Sequence, residues 1–260
     1  METGRKTDTR YWDSAWDRTA GDRKKRRKRA LPAPPFELLF WREILPAVAP
    51  PAPARVIELG SAPGRNLLKW RRFGYEVYGA DYSEIGIAAQ RETFAAAGVP
   101  EDHAIHADIF DPEFQAAWSG YFDISYSAGV IEHFDDPASA IDAHLAVLKP
   151  GGLLVITIPN FAGFMGRLLP KRILETHNLE IMRLSRFQQL FQRADLEEAQ
   201  CSYAGKLNLV VADSGHSPVV SRLMGHAQHL INLALQKAPF PETSWLSPHL
   251  LYIGRKLAAQ

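Results

Sequence analysis

From residue 55 to about residue 160 the chain alternates short β-rich runs with helical patterns, and this alternation most restricts what it can fold into. It demands βαβ units and a parallel sheet. The strand runs are Arg55–Leu59, Glu76–Ala80, Ala104–Ala107, Phe122–Ser127 and Leu153–Ile158. Helical spacing covers Asn66–Arg72, Ser83–Ala97, a short stretch over Pro112–Trp118, and Pro137–Leu148. Ser83 and Asp136 fit helix N-caps, with Pro137 at a first helical position. "KPGG", residues 149 to 152, predicts a helix stop and a turn ahead of the fifth strand.

Outside this block the pattern is looser. "PPFELLFWREILPAV" reads as a helix opening after two prolines, and the Pro-rich "APPAPA" leads into the first strand. After residue 160, a mixed apolar and basic stretch precedes a helix over Ser185–Arg193 and strands near Gln200–Tyr203, Asn208–Val211 and His249–Gly254. Residues 217 to 237 carry apolar side chains at helical spacing, the mark of a packed surface helix, a lid or a dimer contact. His226 and His229 fall on its polar face.

The 260 residues carry a net charge of +1, unevenly spread. Residues 1 to 30 hold eleven Lys or Arg against five Asp or Glu, concentrated in "RKKRRKR" at 23–29. Such a run serves as a solvated face or as a grip on phosphate. The single cysteine, Cys201, excludes an internal disulfide and points to a reducing compartment. No stretch approaches the roughly 20 apolar residues of a membrane span, so a soluble cytoplasmic protein is expected.

The first strand ends in "ELGSAPG", a turn whose small residues let backbone approach a ligand. The dinucleotide spacing G-x-G-x-x-G would fall on Gly60, Ala62 and Arg65, and an arginine stands where close helix packing wants no side chain. The spacing acidic-x-G-x-G-x-G falls on Glu58, Gly60, Ala62 and Gly64 with one conservative replacement. No Gly-Lys-Ser/Thr follows, so the turn is not a phosphate loop. Glu58 favours a ligand with positive groups, such as an ammonium and a sulfonium.

Asp81 lies 21 residues after Gly60, where a carboxylate can accept from a ribose diol, and Asp108 follows the third strand, where it can accept from an adenine amino group. Three acids at three successive strand ends lie where open α/β sheets bind ligands.

These pieces resemble the class I S-adenosylmethionine-dependent methyltransferases: "VIELGSAPG", "GADYS", "HADIF", "FDISYSAGVIEHFDDP" and "LKPGGLLVITIPN" stand in that family's order, and "SPHLLYIGRK" looks like its last strand. The resemblance implies a doubly wound α/β fold, a mostly parallel seven-stranded sheet with an antiparallel last strand and added helices. It implies one domain over 1–260: a basic arm and lid helix (1–53), a cofactor-binding core (54–160), an acceptor-covering segment (161–183), and C-terminal strands with a helical insertion (184–260, inserted at 217–237). Glu58, Gly60, Ala62 and Gly64 would line the methionine and ribose of S-adenosylmethionine. Asp81 would take the ribose, Tyr82 would lie beside the adenine, Asp108 and the Ile109 backbone would hold its edge, and Ser127 with Ala128 would pass beneath the methionine. "YWDSAW" is similar to an aromatic lid of thiopurine-type enzymes, which makes Trp12 and Trp16 lid contacts.

Methyl transfer from a sulfonium is an in-line displacement in which the protein aligns the reactants, and a hydroxyl acceptor adds the need for a base. His133 in "GVIEHF" and His177 in "LETHN" are the candidates, histidine titrating near working pH. Related quinone and small-RNA methyltransferases carry E-x-x-E-H, whereas position 129 here is glycine. Glu132 and His133 alone make a poor cation site, so no catalytic metal is expected.

The Asn/Asp-Pro-Pro-Tyr signature of base and amide methylation is absent, which argues against nucleic-acid and protein-amide acceptors, and Phe161, Phe164, Arg167, Lys171 and Arg172 suggest a lid over a small or medium-sized acceptor, most often an oxygen of a secondary metabolite or of a saccharide or lipid intermediate. Two alternatives stand beside this: an RNA methyltransferase using the 23–29 run, and a non-catalytic cofactor-binding subunit docking through 217–237, the same segment that would join a homodimer.

Overall fold

The computed structural model describes residues 4–26, 39–48, 54–207, 227–228, 230–235 and 240–258. Seven strands form one sheet: β1 (Arg55–Leu59), β2 (Glu76–Asp81), β3 (Ala104–His106), β4 (Phe122–Ala128), β5 (Leu148–Pro159), β6 (Leu196–Ala204) and β7 (His249–Lys256). Their order is β3-β2-β1-β4-β5-β7-β6, with β7 antiparallel to both neighbours. The order reverses beside β1, which pairs in parallel with β2 on one side and β4 on the other. Open α/β sheets bind ligands beyond the carboxyl ends of the strands at such a switch point.

The described helices are α1 (Thr9–Arg26), α2 (Leu45–Val48, continuing a π-helical turn at Phe40–Ile44), α3 (Leu67–Arg72), α4 (Glu84–Ala97), α5 (Pro112–Ala117), α6 (Pro137–Val147), α7 (Lys171–Leu174) and α8 (Leu184–Gln189). Ser83 caps α4 by accepting from the Gly86 N–H at 3.0 Å, and Asp136 caps α6 by accepting from the Ala138 N–H at 3.1 Å, as expected of both. The middle of β1, Val56 to Leu59, is buried on both faces, as a central parallel strand requires. On one face Val56 packs with Leu67, Trp70 and Phe94. On the other, Ile57 and Leu59 pack with Ala143 and Val147 of α6.

Three expectations change. "KPGG" is not a turn before β5: the strand starts at Leu148, and the glycines form an irregularity inside it, where Phe122 pairs with Leu148 but Ile124 with Leu153. The helix expected over Ser185–Arg193 spans only Leu184–Gln189. Among the described residues of 217–237, residues 227–228 and 230–235 are helical, but Leu230, Ile231 and Leu233 are exposed, while Gln228, Asn232 and Leu235 are half-buried. The described part of the apolar stripe, Ala227, Leu230, Ile231 and Ala234, is thus exposed. His226, His229, the side chains of the 23–29 run and the strand expected at Asn208–Val211 lie outside the described residues. No described helix is long and apolar enough to cross a membrane.

Under α6, His144 is fully buried between two strand serines, with Ser125 Oγ 2.7 Å from Nδ1 and Ser127 Oγ 3.0 Å from Nε2. Burial pushes its pKa down to about 3, and those of His133 and His249 down to about 4. The unfolded chain takes up protons near the ordinary value of 6.5 while the folded one does not, so this stability is present above pH 6.5 and is lost as pH falls towards 3. We expect the urea midpoint to fall between pH 6.5 and pH 4.5, and less steeply in His144→Gln. Equal slopes for the two proteins would contradict the buried neutral imidazole.

Candidate active site

The glycine turn after β1 is shaped by sterics and by one carboxylate. Gly60 has φ +70°, and a Cβ there would stand 2.6 Å from Val130 Cγ2. Only glycine allows that approach without strain. Asp81, at the end of β2, accepts from the Ala62 N–H at 3.0 Å and the Ser83 N–H at 2.9 Å, tying the turn to the start of α4. Burial raises its pKa, opposed by these two N–H donors. Beneath the turn, Ser61 Oγ donates to Gln90 Oε1 at 2.6 Å, and Gln90 Nε2 donates to the Gly79 carbonyl at 3.1 Å.

A crevice of about 70 Å³ opens over this turn, and Trp12, Trp16, Gly60, Asp81, Tyr82, Asp108 and Ile109 line it. Trp12 and Trp16, one turn apart on α1, stack at 6.1 Å, and the Trp12 edge meets His133 at 5.1 Å. The helix is anchored by Asp13 Oδ1, which accepts from Ser83 Oγ at 2.5 Å.

The remaining residues expected to touch a cofactor lie behind the crevice. Gly64, φ +79°, packs under the turn against Phe94 and Gln90. Ala62 contributes its N–H to Asp81 and is buried. Glu58 is buried beneath, with Oε1 accepting from Asn66 Nδ2 at 3.1 Å and Oε2 without a hydrogen-bond partner among the described residues, and burial pushes its pKa up to about 8. Strand alternation turns Ser127 onto His144, away from the crevice, and Ala128 faces a second cleft instead.

Sequence reasoning missed Arg5. Its guanidinium pairs with Asp108 at 2.5 Å and sits 5.1 Å from the ring centroids of both Tyr82 and Phe110. The strap carrying it is held by the Lys6 N–H donating to the His133 carbonyl at 2.8 Å and the Asp135 N–H donating to the Gly4 carbonyl at 2.7 Å. Nothing in the spacing of residues 4 to 7 announces this. Asp108 also accepts from the Phe110 N–H at 3.0 Å.

The second, more open cleft, of about 350 Å³, is lined by Asn66, Ala128, Gly129, Glu132, His133, Thr157, Pro159, His177 and His249. The two cavities share Gly129 and His133. Glu132 and His133 come from a 3₁₀ turn, Ile131–His133, just after β4, and His177 from the segment after β5. The two imidazole rings lie 4.4 Å apart. His133 Nδ1 is 2.8 Å from the Thr176 carbonyl oxygen, and His177 Nδ1 is 2.6 Å from that of Ile173. Burial lowers both histidines' pKa values and pushes that of Glu132 up to about 8. The structure thus brings together both histidines named as candidate bases and adds Glu132 to them.

Comparison with known proteins agrees with this geometry. The family model described as "Methyltransferase domain" matches residues 26–200. A ubiquinone biosynthesis O-methyltransferase of Xanthomonas axonopodis is 29% identical over 140 residues, 50% of this chain and 57% of that protein. A malonyl-[acyl-carrier protein] O-methyltransferase of Enterobacter lignolyticus is 34% identical over 104 residues, 40% of this chain and 38% of that protein. The matched segment is thus about half the length of these relatives or less. Among solved structures, the methyltransferase in complex with the Haloferax volcanii Trm112 activator superposes with a TM-score of 0.56 at 16% identity, covering 95% of this chain and 98% of that one, which speaks for the fold. With the switch-point crevice, the glycine turn and the family match over most of its length, the chain belongs to the class I S-adenosylmethionine-dependent methyltransferases.

Proposed function

We propose that the chain transfers the methyl group of S-adenosylmethionine to a hydroxyl oxygen of a small or medium-sized acceptor, such as a secondary metabolite or a saccharide or lipid intermediate. The observation that carries this reading is the meeting of the two cavities at Gly129 and His133. The crevice over the glycine turn takes the cofactor: Asp81 receives the ribose hydroxyls, Tyr82 and Asp108 with the Ile109 backbone bound the adenine, and Trp12 and Trp16 close over it. The second cleft takes the acceptor, so the transferred methyl would cross the shared wall. In-line transfer of this kind is served by alignment and exclusion of water, which the two tryptophans provide.

Acceptor chemistry follows from the lining of the second cleft. Its described lining presents imidazole and carboxyl groups and includes no Lys or Arg. A hydroxyl acceptor can donate its hydrogen bond to an imidazole nitrogen there. Of the two relatives, this favours the chemistry suggested by the name of the ubiquinone biosynthesis O-methyltransferase over that of the malonyl-thioester enzyme. His133 stands nearest the shared wall and is the first candidate to accept the hydroxyl's proton, with His177 behind it.

Two outcomes follow. Asp81→Ala should weaken S-adenosylhomocysteine binding by about 1.5–3 kcal/mol, roughly 10- to 150-fold, the cost of losing a charged hydrogen-bond partner. Quenching of Trp12 and Trp16 fluorescence reads this, and unchanged affinity would contradict the ribose placement. With a phenolic or sugar-hydroxyl acceptor identified by screening, His133→Ala and His177→Ala should lower turnover by roughly 10²-fold. Wild-type rates in both would show that neither imidazole acts on the acceptor.

A further inference from the structure

Glu132, His133 and His177 each offer one ligand atom, and these three atoms all lie within 4.8 Å of one another. Glu132 and His133 are buried and His177 is half-buried. Sequence spacing placed two of them together and left the third 44 residues away, which is why a cation site was not expected.

The hydrogen bonds fix what these atoms present to each other. A backbone carbonyl only accepts, so the Nδ1 of His133, facing Thr176, and the Nδ1 of His177, facing Ile173, each carry the proton. In a neutral ring that leaves a lone pair on Nε2. Metal-binding histidines are commonly oriented in this way, by a carbonyl on the opposite nitrogen. Glu132 Oε2 is buried and has no hydrogen-bond partner among the described residues. Gly129 leaves room for that carboxylate, since a Cβ there would lie 3.3 Å from Glu132 Oε1. Each imidazole thus keeps one nitrogen lone pair, in a group whose three ligand atoms lie within 4.8 Å of one another. A buried acceptor left so costs about 1–3 kcal/mol unless a cation or a proton donor sits among the group.

We infer that Glu132, His133 and His177 form a binding site for a divalent d-block cation of the zinc, cobalt or manganese kind, with its open coordination positions facing the acceptor cleft. Two imidazole nitrogens and one carboxylate suit such ions better than magnesium or calcium, which want mainly oxygen ligands. The cleft beside the three ligands leaves space for water or an acceptor hydroxyl. The inference rests on the reading of this cleft as the acceptor site. With a cation seated, His133 and His177 would act as ligands in place of the base role, and the metal would lower the pKa of a hydroxyl at an open position, whose proton would pass to solvent.

The test uses the full chain, stripped with a chelator and titrated with Co²⁺ while its visible d–d absorption is followed. The expected result is one cobalt per chain with a nitrogen-ligand spectrum, weakened at least about tenfold in each of Glu132→Gln and His177→Gln. S-adenosylhomocysteine binding, followed in parallel, should stay unchanged in His177→Gln, because that residue lies outside the cofactor crevice. Absence of a cobalt band in protein that still binds S-adenosylhomocysteine, or a band untouched by both substitutions, overturns the cation site and leaves the methyl-transfer reading standing.

Discussion

The buried carboxylate of Asp81 is the interaction on which the site depends. Its two N–H contacts, from Ala62 and Ser83, join the turn after β1 to the start of α4. Ser61, Gln90 and the Gly79 carbonyl form a second tie directly beneath. Together they hold backbone in the left-handed conformation at Gly60 while Val130, from the loop after β4, closes against it. A crevice at the switch point results because three strand ends are locked at fixed distances. The carboxylate is kept in a place where burial alone would favour its neutral form.

Around that knot the chain builds two cavities with different chemistry. The first is aromatic above and acidic below, with Trp12 and Trp16 over Asp81, and Arg5 occupying Asp108 from the N-terminal strap. The second cavity is lined by imidazole and carboxyl groups and opens on the side of β5. Gly129 belongs to both, and its left-handed φ of +75° turns the chain from β4 towards Glu132 and His133.

Much of this was legible in the sequence, for physical reasons. The five strands of the core announce themselves as short β-rich runs, and the caps at Ser83 and Asp136 are local chemistry that tertiary packing leaves in place. The glycine turn and Asp81 were legible because steric demand and charge fix residue type at each position. Contacts between distant segments were not. Arg5 meets Asp108 across 103 residues, and His177 meets His133 across 44, and no periodicity encodes either. The contact of Ser127 with His144 was not legible either, because a strand residue's partners are set by register and by what α6 packs against it. At Leu230 and Ile231 the opposite holds, a helical pattern whose described apolar positions are exposed.

The central claim is that the crevice over the β1 turn holds S-adenosylmethionine. Calorimetric titration of the folded protein with S-adenosylhomocysteine, with NAD as the control ligand, tests it most directly. One-to-one micromolar binding of the former alone is the predicted result. Failure of S-adenosylhomocysteine to bind protein shown to be folded, or equal binding of NAD, would contradict it.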